Sequence, residues 1–229
     1  MRAGVMEFAR PVAPAEALPA RPEARTTPSK EGWNPQEFAR EQICSLVRQL
    51  FQTEQPRPCR QVVFGPVDMQ TDAVEICQSV GEALALATTM DVAVAGAGPE
   101  SSRELRVCST ETCSPLRQAG RQVRPNLWLL PLDASGTEES AAPLHRYISA
   151  LRREFEYSII AAPAAAISNQ TIALAQLADG IVLVLSAQHT RREQARKVKA
   201  ALEGAQARLL GLVLSDREFP IPERIYRRL

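Results

Sequence analysis

Phosphate chemistry needs a strand that hands over to a helix through a short loop, and one stretch of this chain has that form. Val62-Val63-Phe64-Gly65-Pro66-Val67-Asp68-Met69-Gln70-Thr71-Asp72-Ala73 passes from a β-branched segment through a polar loop into helical periodicity. A phosphate-binding loop needs glycines that let backbone N–H groups converge, a lysine for the β/γ charge and a Ser or Thr for Mg²⁺. Gly65 is the loop's one glycine, no lysine lies between Arg60 and Asp91, and Thr71 is the only hydroxyl the loop offers to a metal. Asp68 and Asp72 add negative charge. At an effective dielectric near 20, one carboxylate about 4 Å from a phosphate oxygen opposes binding by about 4 kcal/mol. The loop is expected to bind neither ATP nor Mg²⁺.

Two other strand ends tell the same story. Val94-Ala95-Gly96-Ala97-Gly98 and Ile159-Ile160-Ala161-Ala162-Pro163 both finish without charge. A nucleotide hydrolase of this plan places a metal-holding carboxylate at such a tip. Here Gly96, Gly98 and Ala161 read equally well as residues that simply let strand ends pack. His145 and His189, the only histidines, lie on different segments with no acidic or cysteine partner at metal or triad spacing. Five cysteines are scattered, and the Cys108/Cys113 spacing fits no common zinc pattern, so free thiols and no metal are expected.

The elements that must position these loops alternate. Apolar residues at helical spacing follow Asn34-Pro35, an N-cap with Pro in first position. Strands are expected at 61–65, 91–95, 127–130, 157–161, 181–185 and 208–214, with helices between most of them. This rhythm predicts an α/β fold of three layers, a mostly parallel central sheet with helices on both faces. Ligands of such sheets bind beyond the carboxyl ends of the strands. Residues 1–32, rich in Pro and Ala without apolar periodicity, read as a disordered tail. Residues 33–216 form the domain and 217–229 a short C-terminal tail.

Composition excludes other classes. With 27 basic and 26 acidic side chains the net charge is +1, so no global field attracts nucleic acid. The densest basic run, Arg191, Arg192, Arg196, Lys197 and Lys199, falls on an expected helix and reads as a solvated face. No apolar stretch approaches the ~20 residues of a membrane span, and no signal peptide is evident. A cytoplasmic address is expected, with membrane association through a partner.

From about Phe38 to Leu214 the sequence resembles the cytoplasmic domain of bacterial tyrosine kinases of capsule and exopolysaccharide synthesis, relatives of the MinD/ParA-type P-loop ATPases. Phe155-Glu156-Tyr157-Ser158-Ile159-Ile160-Ala161-Ala162-Pro163 is similar to that family's F-D-Y-V-I-I-D-T-P-P, and Ala178-Asp179-Gly180-Ile181-Val182-Leu183-Val184 to its A-D-G-V-V-L-V. Leu210-Gly211-Leu212-Val213-Leu214 is similar to its L-G-V-V-L-N, and Leu127-Trp128-Leu129-Leu130-Pro131 to its L-x-V-L-P. Against this framework the Walker A lysine is missing, Gly96-Ala97-Gly98 stands where the family has D-x-D, and Ala161 stands where it has the Walker B aspartate. The C-terminal tyrosine cluster is reduced to Tyr226, and the E-x-x-R-x-x-R helix motif survives only as Glu41.

The resemblance implies a P-loop NTPase-like domain without nucleotide chemistry: a pseudokinase-like regulator or scaffold in exopolysaccharide or capsule synthesis. Its partner would be a membrane polysaccharide co-polymerase or an active tyrosine kinase. Glu41, Arg103, Arg106, Arg191 and Arg192 are candidate contact residues. Two alternatives stay open. One is an unconventional nucleotide-binding kinase or ATPase using Thr71, backbone amides or the Arg191–Lys199 helix. The other is a MinD/ParA-like positioning protein.

Overall fold

The computed structural model describes residues 35–53, 59–96, 116–132 and 142–216. The expected N-terminal tail, Trp33, Cys108, Cys113 and residues 217–229 lie outside them, as do the candidate residues Gly98, Arg103 and Arg106. The element order is α1 (Pro35–Val47), β1 (Gln61–Pro66), α2 (Val74–Ala87), β2 (Val92–Ala95), α3 (Leu116–Ala119), β3 (Arg121–Arg124) and β4 (Leu127–Leu130). There follow α4 (Ala142–Glu154), β5 (Tyr157–Ala161), α5 (Gln170–Leu177), β6 (Gly180–Ser186), α6 (Arg192–Gly204) and β7 (Leu209–Ser215). A π-helical turn, Arg48–Gln52, extends α1.

Seven strands form one sheet in the order β3-β4-β2-β5-β1-β6-β7. Every pairing is parallel except β3 with β4. Strand side chains alternate between two apolar layers. Val62, Phe64, Val92, Val94, Ile159, Val182 and Val184 face α1 and α2, which contribute Leu46, Val47, Cys77, Val80 and Leu84. Val63, Ala93, Trp128, Ile160, Ile181 and Leu183 face α4, α5 and α6, which contribute Ile148, Leu151, Leu174, Val198 and Leu202. This alternation explains why the central strands read as continuous apolar runs: both faces are covered. The three-layer α/β architecture expected from the sequence is the observed one. Among the described residues no helix is long and apolar enough to cross a membrane.

Between the strands expected at 91–95 and 127–130 lie α3 and the short antiparallel strand β3. Arg117 of α3 has an internal role. Its guanidinium lies 4.6 Å from the Trp128 ring and 5.1 Å from Phe155, donates to Glu154 O at 2.9 Å and pairs with Asp91.

At the amino edge of the sheet Asp179, in the turn before β6, organises three elements. Its Oδ2 accepts the Arg60 and Gln61 amides at 2.7 and 2.8 Å, and its Oδ1 pairs with Arg152 of α4 at 2.7 Å. Arg152 also donates to Gln61 Oε1 at 3.0 Å, while Gln61 Nε2 donates to Ile148 O at 3.0 Å. The start of β1 is thereby tied to α4 and β6. Asp179→Ala leaves two strand-entry amides without their acceptor and is expected to lower stability by roughly 2 kcal/mol in urea denaturation. Arg60→Ala breaks only the exposed pair with Glu156 and should cost less than about 1 kcal/mol.

Candidate functional site

The site lies at the carboxyl edge, where β2, β5, β1 and β6 end side by side. Gly65 is a glycine for packing reasons. A Cβ on it would come within 2.8 Å of Thr171 Cγ2 and 3.0 Å of Ile181 Cδ1, so a side chain there would have to displace these two buried side chains. Beyond Gly65 the backbone is committed to protein partners. Val67 N–H donates to Val184 O at 3.0 Å, while Pro66 O and Val67 O accept from Ala165 and Ala166 at 2.8 and 3.2 Å.

Asp68 dominates the loop. It is 5% exposed, and its Oδ1 accepts from Thr71 Oγ1 at 2.8 Å and from the Gln70 amide at 3.2 Å. Its Oδ2 accepts from Thr190 Oγ1, a residue just before α6 and 122 positions away in sequence. Thr190 Oγ1 in turn accepts the Ser186 amide at 2.8 Å, and the Thr190 amide donates to Ser186 O at 3.1 Å. Burial raises the Asp68 pKa, but the Thr190 and Thr71 hydroxyls and the Gln70 and Thr71 amides outweigh it and hold the carboxyl below its usual range. The loop is closed around its own anion.

The remaining expected residues follow from this closure. Thr71 is buried, with its hydroxyl directed at Asp68 instead of into an open site. Asp72 is exposed, and its Oδ1 accepts the Val74 amide at 2.7 Å. A carboxylate therefore takes one of the first amides of α2, the end of a helix that suits phosphate. Gly96 has φ +93°, and a Cβ there would lie 2.9 Å from Ala161 O and 3.0 Å from Ala161 Cβ. The two strand ends expected to carry carboxylates are in mutual contact. Glu41 is exposed on α1, well away from these loops in the chain order, and Val47, the position of that motif's second arginine, is buried. Arg191 and Arg192 are exposed at the entry to α6, directly after Thr190.

His189 Nδ1 lies 3.3 Å from Ser186 Oγ, but that serine is buried and its hydroxyl also accepts the Gln188 amide at 3.4 Å, so it serves the turn. Among the described residues no group of three or more His, Cys, Asp or Glu is placed to hold a metal ion. In the sequence Asp68 reads only as a repulsive charge, and nothing singles out Thr190 or Ser186. Nothing local marks a threonine in the β6–α6 turn as the partner of an aspartate in the loop after β1.

No protein-family model matches the sequence, and no curated protein matches it. Solved structures share the fold at low identity. The chimerical protein CapA2B2 is 12% identical, with a TM-score of 0.62 over 78% of this chain and 85% of that one. The kinase domain of VpsO is 16% identical, with a TM-score of 0.59 over 80% and 98%. The kinase domain of the Escherichia coli tyrosine kinase ETK is 11% identical, with a TM-score of 0.60 over 80% and 79%. The MinC:MinD cell division complex of Aquifex aeolicus is also similar, at 18% identity and a TM-score of 0.51. The chain thus has the P-loop NTPase-like fold of bacterial tyrosine kinase domains and MinD-type ATPases.

Because the folded-state pKa of Asp68 is depressed, its stabilisation is fully present above the unfolded value of about 4 and is lost as pH falls through the folded value. Asp68→Asn should therefore be less stable than the wild type by roughly 1–3 kcal/mol at neutral pH. The gap should narrow as the pH drops below about 4, measured by urea denaturation across a pH series.

Proposed function

We propose that this protein is a catalytically inactive, pseudokinase-like scaffold or regulator of exopolysaccharide or capsule synthesis, acting by contact with a membrane polysaccharide co-polymerase or an active tyrosine kinase. The observation that carries this reading is the Asp68 cluster. The loop in the phosphate-binding position directs its Thr71 hydroxyl and Gln70 amide at its own Asp68 carboxylate, which also accepts from Thr190. Anionic phosphates brought to that loop would meet a buried negative charge with no lysine beside it, a repulsion of about 4 kcal/mol per close pair at an effective dielectric near 20. The packing of Gly96 on Ala161 further supports it, since metal-holding carboxylates have no room at position 96. The kinase domains that share the fold support this setting, and a loop without phosphate chemistry makes surface contact the use proposed for it.

Calorimetry with ATP and with ADP, each with Mg²⁺, tests this directly. The expected result is no saturable heat at any Kd tighter than about 1 mM, and no label on the protein from γ-labelled ATP. A micromolar isotherm, or self-labelling, would sink the proposal and favour a nucleotide-binding enzyme whose phosphates are held by Arg191 and Arg192.

A further inference from the structure

The two outer strands of the sheet are built in opposite ways. β3 has four residues, all exposed, carries Arg121 and Arg124, and shifts register between Gln122 and Arg124. Shortness, edge charge and a bulge are the devices that stop a free edge from pairing with another chain. β7 uses none of them at its outer end. Leu209-Leu210-Gly211-Leu212-Val213-Leu214-Ser215 has seven residues, no charge and no proline, and its one register shift, between Ile181 and Val182 on β6, lies at the other end. Only Val213 of the seven is buried. Among the described residues nothing pairs with the outer edge of β7.

The backbone phase of that edge can be read. The Ala187 amide donates to Ser215 O at 2.9 Å, so Ser215 turns its peptide groups toward β6. By alternation Val213 and Gly211 do the same, and Leu214 and Leu212 present their N–H and C=O outward. Leu212 packs against the core layer on the α6 side. Leu214, two residues on and therefore on the same face of the strand, is half-buried and is in neither apolar cluster.

We propose that this edge joins two copies of the chain, antiparallel, about a twofold axis through Val213. That arrangement sets Leu212 opposite Leu214 of the other copy, and Leu214 opposite its Leu212. Each opposed pair exchanges two N–H···O=C bonds, and four leucines form one apolar strip on a single face. Polarity favours the antiparallel sense. Arg208 precedes the strand and Asp216 follows it, so antiparallel copies bring ends of opposite charge together. A twofold contact also closes on itself, whereas a head-to-tail one would propagate. A strand without charge selects its own counterpart, while β3, with two arginines, repels its copy. This inference stands on the sheet edge and is independent of the reading of the nucleotide site.

Sedimentation velocity on the full chain tests it. The wild type is expected to dimerise with a Kd in about the micromolar range. Leu214→Lys places a cation opposite Leu212 of the other copy, and Leu214→Pro removes an outward N–H without touching the bonds to β6. Both should be monomeric at concentrations where the wild type is dimeric, and Arg121→Ala on the opposite edge should remain a dimer. Circular dichroism of each variant confirms the fold, and a monomeric folded Pro variant suffices if the Lys variant unfolds. A wild type that stays monomeric at about 100 µM overturns the proposal and points to residues 217–229 as the cover of this edge. A dimer unchanged in both folded Leu214 variants overturns it as well.

Discussion

A carboxylate withdrawn from water must find donors or give up its charge, and the carboxyl edge of this sheet is arranged around that requirement. Asp68 receives its hydrogen bonds from three directions: from Thr71 and Gln70 in its own loop, and from Thr190 across the β6–α6 turn. Meeting the carboxylate's need draws the two loops together, and the same closeness lets Val67 donate to Val184 and extend the ladder past the end of β1. In a nucleotide-binding domain the loop is held open by convergent amides awaiting an external anion. Here the anion is covalently part of the loop, and the amide at the start of α2 is met by a second side chain, that of Asp72.

Strand β1 is held at both ends by aspartates, and the two act in complementary ways. Asp179 grips the amides that begin β1 and passes the load to Arg152 on α4, while Asp68 closes the loop that ends it. Between them β1 is buried along its whole length, with Phe64 among the largest fully buried side chains. The register of β1 is fixed by its parallel ladders to β5 and β6, and the polar contacts at its tips tie that ladder to α4 and to the β6–α6 turn.

Much of the architecture was readable because parallel strands covered on both faces leave unmistakable runs such as Ile181–Leu185, and the intervening helices keep their apolar spacing. β3 escaped because an edge strand of Arg-Gln-Val-Arg has neither alternation nor an apolar run, and its place follows only from pairing with β4. The site was readable as a set of missing groups: the lysine, the paired carboxylates and the strand-end aspartate. What fills their place was not. The Asp68–Thr190 contact joins residues 122 apart, and the fit of Gly96 against Ala161 depends on two strands adjacent in space and distant in sequence. Arg117 illustrates the same limit, since an arginine in a charged stretch looks solvated until the rings of Trp128 and Phe155 are seen beneath it.

The contact between Gly96 and Ala161 limits what can stand at either position. Gly96 sits at a positive φ that side chains disfavour, and its α-carbon leans on the neighbouring strand so closely that an added methyl group would press on the Ala161 carbonyl. A carboxylate placed there by substitution would meet a wall of main chain before it could reach into the loop region. Room for it would require the tips of β2 and β5 to move apart, so the close approach of two strand ends fixes the smallest residue at this point of the sheet.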